Sequence, residues 1–160
     1  MKRNLSAILP ALLPKAIEWA AARSAEILRT GRPLEDFELT LAREAEVRQP
    51  ERIRLLECSS MPQPDDHQLS QAARAIGFLN TDTIGLTLGY GIYVRSGPIT
   101  QRLLSHEFRH VQQYEVSGSL ETFLAEYLHQ IVTVGYEHAP LEVDARRYEN
   151  RSSPTIKRSA

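Results

Sequence analysis

Ser105-His106-Glu107-Phe108-Arg109-His110 lies inside a run, Ile99 to Glu115, that reads as one helix, with Pro98 before it and Val116-Ser117-Gly118-Ser119 breaking it. A four-residue step brings two helical side chains to one face about one turn apart, so the imidazoles of His106 and His110 can reach one tetrahedral zinc ion. Glu107 is turned roughly 100° round the axis from His106, beside the metal and not on it. That position suits a general base that takes a proton from zinc-bound water. Zinc lowers the pKa of such water to about 7, within reach of a carboxylate at neutral pH. From the residue frequencies of this chain, the H-E-x-x-H pattern arises by accident in on the order of one sequence in a hundred. The alternative is an exposed helix that carries these residues without metal.

A catalytic zinc needs a third protein ligand and an open fourth position. The extended motif H-E-x-x-H-x-x-G-x-x-H is not completed, because Gln113 and Val116 occupy the positions of its glycine and last histidine. Glu142 is the candidate third ligand. It lies in Ala139-Pro140-Leu141-Glu142-Val143-Asp144-Ala145, just inside a helix opened by Pro140, a residue suited to the first helical turn. Val111 to Leu141, 31 residues, is enough chain to finish one helix, build another and return. A first-turn glutamate is also favoured by the helix dipole alone, so a structural role for Glu142 stays open.

Outward from the motif, apolar periodicity places the other elements. Leu120, Phe123, Leu124, Tyr127, Leu128 and Ile131 mark the core face of the helix after the motif. Before it, Ile84 to Arg95 alternates apolar residues with Gly85, Thr87, Gly89, Gly91 and Tyr93, as in a half-buried strand. Gly89 and Gly91 suggest a bulge or bend, and a buried hairpin with structural glycines is the other reading. Arg52 to Cys58 reads as a strand. Leu13 to Leu28 reads as an amphipathic helix, as do Leu34 to Gln49 and the stretch after Asp65-Asp66, with Gly77 placed for a left-handed residue past its end. The fold class expected is α+β, mainly helical, as one domain over 1–150 with a disordered tail over 151–160.

The strand, the motif helix and the later Leu141-Glu142-Val143-Asp144-Ala145 resemble the gluzincin peptidases, which pair a helical H-E-x-x-H with a glutamate on a later helix. The likeness runs from about Ile84 to Glu149. It is similar to the minimal soluble core of the HtpX-type and CAAX-prenyl-protease families, without their membrane helices. This resemblance implies a zincin-like fold and a peptide or protein substrate. It further implies that Gly89 to Val94 binds extended substrate and that Tyr136 or His138 stabilises the oxyanion. Those families place an acidic residue four positions beyond the glutamate ligand; Arg146 stands there, with Asp144 or Glu149 as substitutes. Arg109 is expected in ion pairs, and His67 and His129 as bystanders.

Composition narrows the alternatives. A formal net charge of -1, from 19 basic and 20 acidic residues, gives no field to gather nucleic acid. The single Cys58 cannot form an internal disulfide, which favours a reducing, cytoplasmic setting, with secretion as the minor alternative. Met1-Lys2-Arg3 before Leu5 to Leu13 is like a signal peptide, but Pro10, Pro14, Lys15 and Glu18 interrupt it. No apolar stretch read this way approaches the roughly 20 residues of a membrane span. A zinc peptidase is therefore the leading reading. Behind it stand a zincin-like module that keeps its metal but only binds, and a deformylase-like amidase with Cys58 as third ligand.

Overall fold

In the computed structural model, which describes residues 4–149, the Ile84 to Arg95 run is a hairpin. Strand β3 (Gly85–Leu88) and strand β4 (Gly91–Arg95) are antiparallel, with Leu88 opposite Gly91. Gly89, at φ +70°, supplies the positive φ that a two-residue hairpin loop requires. The single half-buried strand is thus corrected to the hairpin alternative. Alternation missed it because a two-residue turn leaves the apolar pattern intact, and because β4 is buried on both faces.

Two further strands complete a mixed sheet of order β1-β2-β4-β3, in which β1 is Arg32–Pro33 and β2 is Arg54–Cys58. β2 runs parallel to β4, with Leu55 opposite Ile92, and antiparallel to β1. β4 is therefore hydrogen-bonded on both sides. Among the described residues, the free edge beside the motif helix belongs to β3.

Among the described residues, six α-helices accompany the sheet: α1 (Leu5–Thr30), α2 (Asp36–Glu44), α3 (His67–Ala75), α4 (Gln101–Ser117), α5 (Leu120–Val134) and α6 (Pro140–Glu149). Two buried apolar clusters result. One joins Ala16, Ala20 and Ile27 of α1 to Leu69 and Ala73 of α3 and to Phe123, Leu124, Tyr127 and Leu128 of α5. The other joins Leu41 and Ala42 of α2 to Leu104, Phe108 and Val111 of α4 and Tyr148 of α6. Ile92 and Val94 belong to the second cluster, Leu86 and Tyr93 to the first, so the alternating side chains of the hairpin feed both. The molecule is α+β, with helices on a small sheet.

Local signals explain most boundaries. Thr100 caps α4 by accepting from the Leu103 N–H at 3.1 Å, and Ser119 caps α5 from Thr122 at the same distance. Asp66 caps α3 through the Leu69 N–H at 2.9 Å, and Gly77 follows at φ +79°, as the sequence suggests. The helix expected from Leu34 to Gln49 is shorter. It begins with a capping box between Glu35 and Glu38, and it ends at Glu44, after which Glu46 turns to φ +68°.

α1 departs most from expectation, starting at Leu5 instead of Leu13 and running through Pro10 and Pro14. Each proline removes one helical hydrogen bond. The helix persists with Leu12, Ala16, Ala20 and Ile27 buried on one stripe. Its 26 residues, with mean hydropathy 1.3 over the most apolar window, are long and apolar enough to cross a membrane by length and composition. The prolines and charges hid that from the sequence reading. In this structure Ser24 donates to the Leu88 carbonyl at 2.8 Å, and Glu26 accepts from the Tyr93 hydroxyl at 2.9 Å. The tail over 151–160 lies outside the described residues.

Candidate metal centre

α4 is anchored by its apolar face. Phe108 is wholly buried, which contributes roughly 1.5–3 kcal/mol and fixes the helix's rotation against the sheet. That rotation turns His106 and His110 toward α5 and α6. Their Nε2 atoms lie 3.1 Å apart. Glu142, 1% exposed in the first turn of α6, brings Oε2 to 3.1 Å from His106 Nε2 and Oε1 to 3.1 Å from His110 Nε2. Glu142 thus stands within reach of both imidazoles, where α4 packs against α6.

The other nitrogen of each ring is already engaged. His106 Nδ1 is 2.8 Å from Glu149 Oε1, a carboxylate that can only accept when ionised. His110 Nδ1 is 2.8 Å from Gln113 Oε1. The Gln113 amide nitrogen donates to the Leu141 carbonyl and to Asp144 Oδ2, both at 2.9 Å, so its oxygen must face the histidine. Both Nδ1 atoms therefore carry hydrogen, and in the neutral rings both Nε2 lone pairs converge on one point beside a carboxylate. Such an arrangement suits a cation and repels itself without one. Hydrogen bonds that fix the tautomer of a ligating histidine are the usual surroundings of a protein metal.

Three observations test the fit to zinc. The donor set is His, His and Glu, with the three ligand atoms all within 4.8 Å of one another. Zinc–ligand bonds of about 2.0–2.2 Å in a tetrahedron place neighbouring ligand atoms about 3.3–3.6 Å apart, close to the 3.1 Å between the two Nε2 atoms and between His106 Nε2 and Glu142 Oε2. Glu142 Oε2 is buried with only His106 Nε2 beside it, so when that ring is neutral the oxygen lacks a donor and a cation would satisfy it. The residues fit.

Electrostatics agree with the geometry. Burial lowers the His106 pKa, but Glu142, Glu107 and Glu149 outweigh it and bring it up to about 9. Burial raises the Glu142 carboxyl and the two histidines more than reverse this, leaving it well below the usual carboxylate range. The protein thus holds a positive charge here, as a proton on His106 when nothing else supplies it.

Glu107 stands beside the cluster. It is 5% exposed and accepts the Thr87 hydroxyl on Oε2 at 2.5 Å. Its other oxygen lies over Gly85, where a Cβ would come within 2.6 Å of Oε1. The edge strand β3 thereby seats Glu107, a role the sequence reading assigned to none of its residues. These groups open on a cleft of about 680 Å³ between β3, α4 and α5.

Of the two oxyanion candidates, Tyr136 lines this cleft and His138 does not. Burial first, then Glu142 and Glu107, raise the Tyr136 phenol far above its ordinary value and keep it protonated. His138 is exposed in the connection before α6, and His67 and His129 are exposed on their helices. Cys58 lies elsewhere, its sulfur 3.9 Å from Met61 Sδ and 3.7 Å from the Val94 carbonyl, with burial raising its thiol pKa. The strand implied for substrate, Gly89 to Val94, is corrected. Gly89 and Tyr90 form the turn and β4 is interior, leaving β3 as the edge at the cleft.

Arg109 makes the ion pairs expected of it, to Asp144 at 2.7 Å and Glu46 at 3.0 Å, and stacks on Tyr148. It holds Asp144 against Gln113 and so acts indirectly on His110. Tyr127, read from the sequence as a core residue, donates to Glu142 Oε1 at 2.7 Å. Its position on an apolar stripe concealed it, although a tyrosine among leucines is a signal that a buried hydroxyl needs an acceptor. Comparisons with protein-family models, with curated proteins and with solved structures found nothing that matches this chain.

Proposed function

We propose that this protein is a zinc-dependent peptidase of zincin-like, gluzincin type, holding one zinc ion through His106, His110 and Glu142 and using Glu107 as general base. The observation that carries this reading is the convergence of two tautomer-fixed Nε2 atoms on the buried Glu142 carboxylate, with a second carboxylate poised beside them. A zinc ion at such a site acts as a Lewis acid toward a carbonyl and acidifies water.

The residues of the chain supply the rest. Glu107, held by Thr87, accepts a proton from water in the cleft and returns it to the leaving amine. Tyr136, protonated and on the cleft wall, donates to oxygen that becomes negative as the carbonyl is attacked. The free edge of β3 offers main-chain groups to an extended peptide lying across the site.

The test pairs metal content with turnover. Wild type should purify with about one zinc per chain. Glu107→Gln should keep that zinc and lose at least about a hundredfold in cleavage of a peptide library. Zinc without turnover in wild type would favour a metal-keeping binding module, and absence of zinc from carefully prepared protein would end the metallopeptidase reading.

A further inference from the structure

The Glu142 carboxylate presents two oxygens to the cluster, and they are not equivalent. Oε1 accepts the hydroxyl of Tyr127 at 2.7 Å. Oε2 is buried, makes no hydrogen bond of this kind, and has His106 Nε2 as its polar neighbour at 3.1 Å. Tyr127 reaches across from α5, and its ring also stands edge-on to His110, with centroids 5.9 Å apart and planes at 88°. Behind it Phe123 stacks at 5.8 Å and 26°, so the ring cannot retreat into the core. One side chain therefore braces a residue of α4 and a residue of α6 at once.

This bond decides how the carboxylate can present itself. A carboxylate oxygen that accepts a short hydrogen bond is less available as a metal ligand than its free partner. A carboxylate that bound through both oxygens would take two positions around the ion and crowd out the open one that catalysis needs. Resting on the zinc reading above, we propose that Tyr127 is a positioning residue of the metal centre: its hydroxyl occupies Oε1, makes Glu142 a ligand through Oε2 alone, and so keeps a coordination position free for substrate or water. Tyr136 differs from it in place. Tyr136 is 41% exposed on the cleft wall and reaches Glu142 from that side, whereas Tyr127 is 6% exposed behind the three side chains.

The experiment uses the full-length protein loaded with zinc. X-ray absorption on wild type should show a carboxylate contributing one oxygen at about 2.0–2.2 Å. A two-oxygen carboxylate in that spectrum overturns the proposal, whatever the behaviour of variants. Tyr127→Phe keeps the ring and its contacts with Phe123 and His110 while removing the hydroxyl. In competition with a chelator it should bind zinc about 10- to 100-fold more weakly than wild type, the range typical when a partner of a metal ligand is lost. Its spectrum should gain a second carboxylate oxygen. Zinc affinity in Tyr127→Phe within twofold of wild type, with an unchanged spectrum, overturns the proposal and leaves the zinc reading standing. Wild type that binds no zinc removes both.

Discussion

Thr87 donates its hydroxyl to Glu107 Oε2 across 2.5 Å, joining the edge strand of the sheet to the residue between the two histidines. The same hydroxyl is 3.3 Å from the Glu107 carbonyl, so the strand grips both ends of this residue. A hydrogen bond to a charged group is worth about 1.5–3 kcal/mol. Thr87→Val, nearly the same shape, should lower peptide turnover on the order of 10- to 100-fold with zinc content unchanged, and Thr87→Ser should restore much of it. Full activity in the valine variant would show that Glu107 needs no such support.

Gly85 faces the other oxygen of the same carboxylate. A methyl group there meets Glu107 Oε1 at 2.6 Å, its Cδ at 2.9 Å and Leu103 Cδ1 at 3.0 Å, closer than side chains tolerate. Gly85→Ala should therefore push the base out of line and cut turnover at least about tenfold while His106, His110 and Glu142 still bind zinc, since misplacing a catalytic group by an ångström is costly. Zinc content and turnover measured on one preparation separate this from unfolding; equal loss of both would contradict it.

Glu142 and Cys58 distinguish two ways of completing the metal site. Glu142→Ala removes the buried carboxylate between both histidines and should abolish stable zinc binding, because two imidazoles alone hold zinc poorly. Cys58→Ser changes a thiol packed against Met61 and should alter neither zinc content nor turnover by more than about twofold. Metal analysis of the two variants side by side decides the matter, and loss of zinc in Cys58→Ser would restore the deformylase-like alternative.

The proton on His106 competes with the metal. Its pKa in the folded, metal-free protein is about 9, above the ordinary 6.5, so the stability it contributes is complete below pH 6.5 and is lost as pH rises through 9. Glu142 is shifted the other way, below its ordinary 4.5, and its contribution is present above that pH and lost on acidification. With respect to these two groups, metal-free protein should be most resistant to urea between about pH 4.5 and 6.5. Zinc must displace the proton, so its apparent affinity should climb about tenfold per pH unit from 6.5 and level off above 9. Isothermal titration across that range, in buffers of different ionisation enthalpy, counts the proton released; a flat profile would remove the competition.

Local chemistry made much of this protein readable before any coordinate. The step from His106 to His110 needs only the helical repeat, and Asp66 caps its helix through a neighbour three residues away. Pro140 opened the helix that carries Glu142, so the element of this candidate ligand was legible, and the chain between His110 and Glu142 was long enough for its return. The α+β class followed from the same periodicities.

What tertiary structure alone decided lies between residues far apart in sequence. No local rule relates Thr87 to Glu107, Tyr127 to Glu142 or His106 to Glu149, which are 20, 15 and 43 positions apart. Alternation over Ile84 to Arg95 could not separate one strand from a hairpin, because a two-residue turn leaves the pattern intact, and only pairing with β2 shows that β4 is interior and β3 the edge. Tyr127 fits an apolar stripe and Gln113 reads as an ordinary helix residue until α6 packs beside them. A helix repeat specifies which side chains share a face; which residues fill the space in front of that face depends on how separate elements pack, and that is why the His106, His110 and Glu142 candidates were visible in the sequence and the groups around them were not.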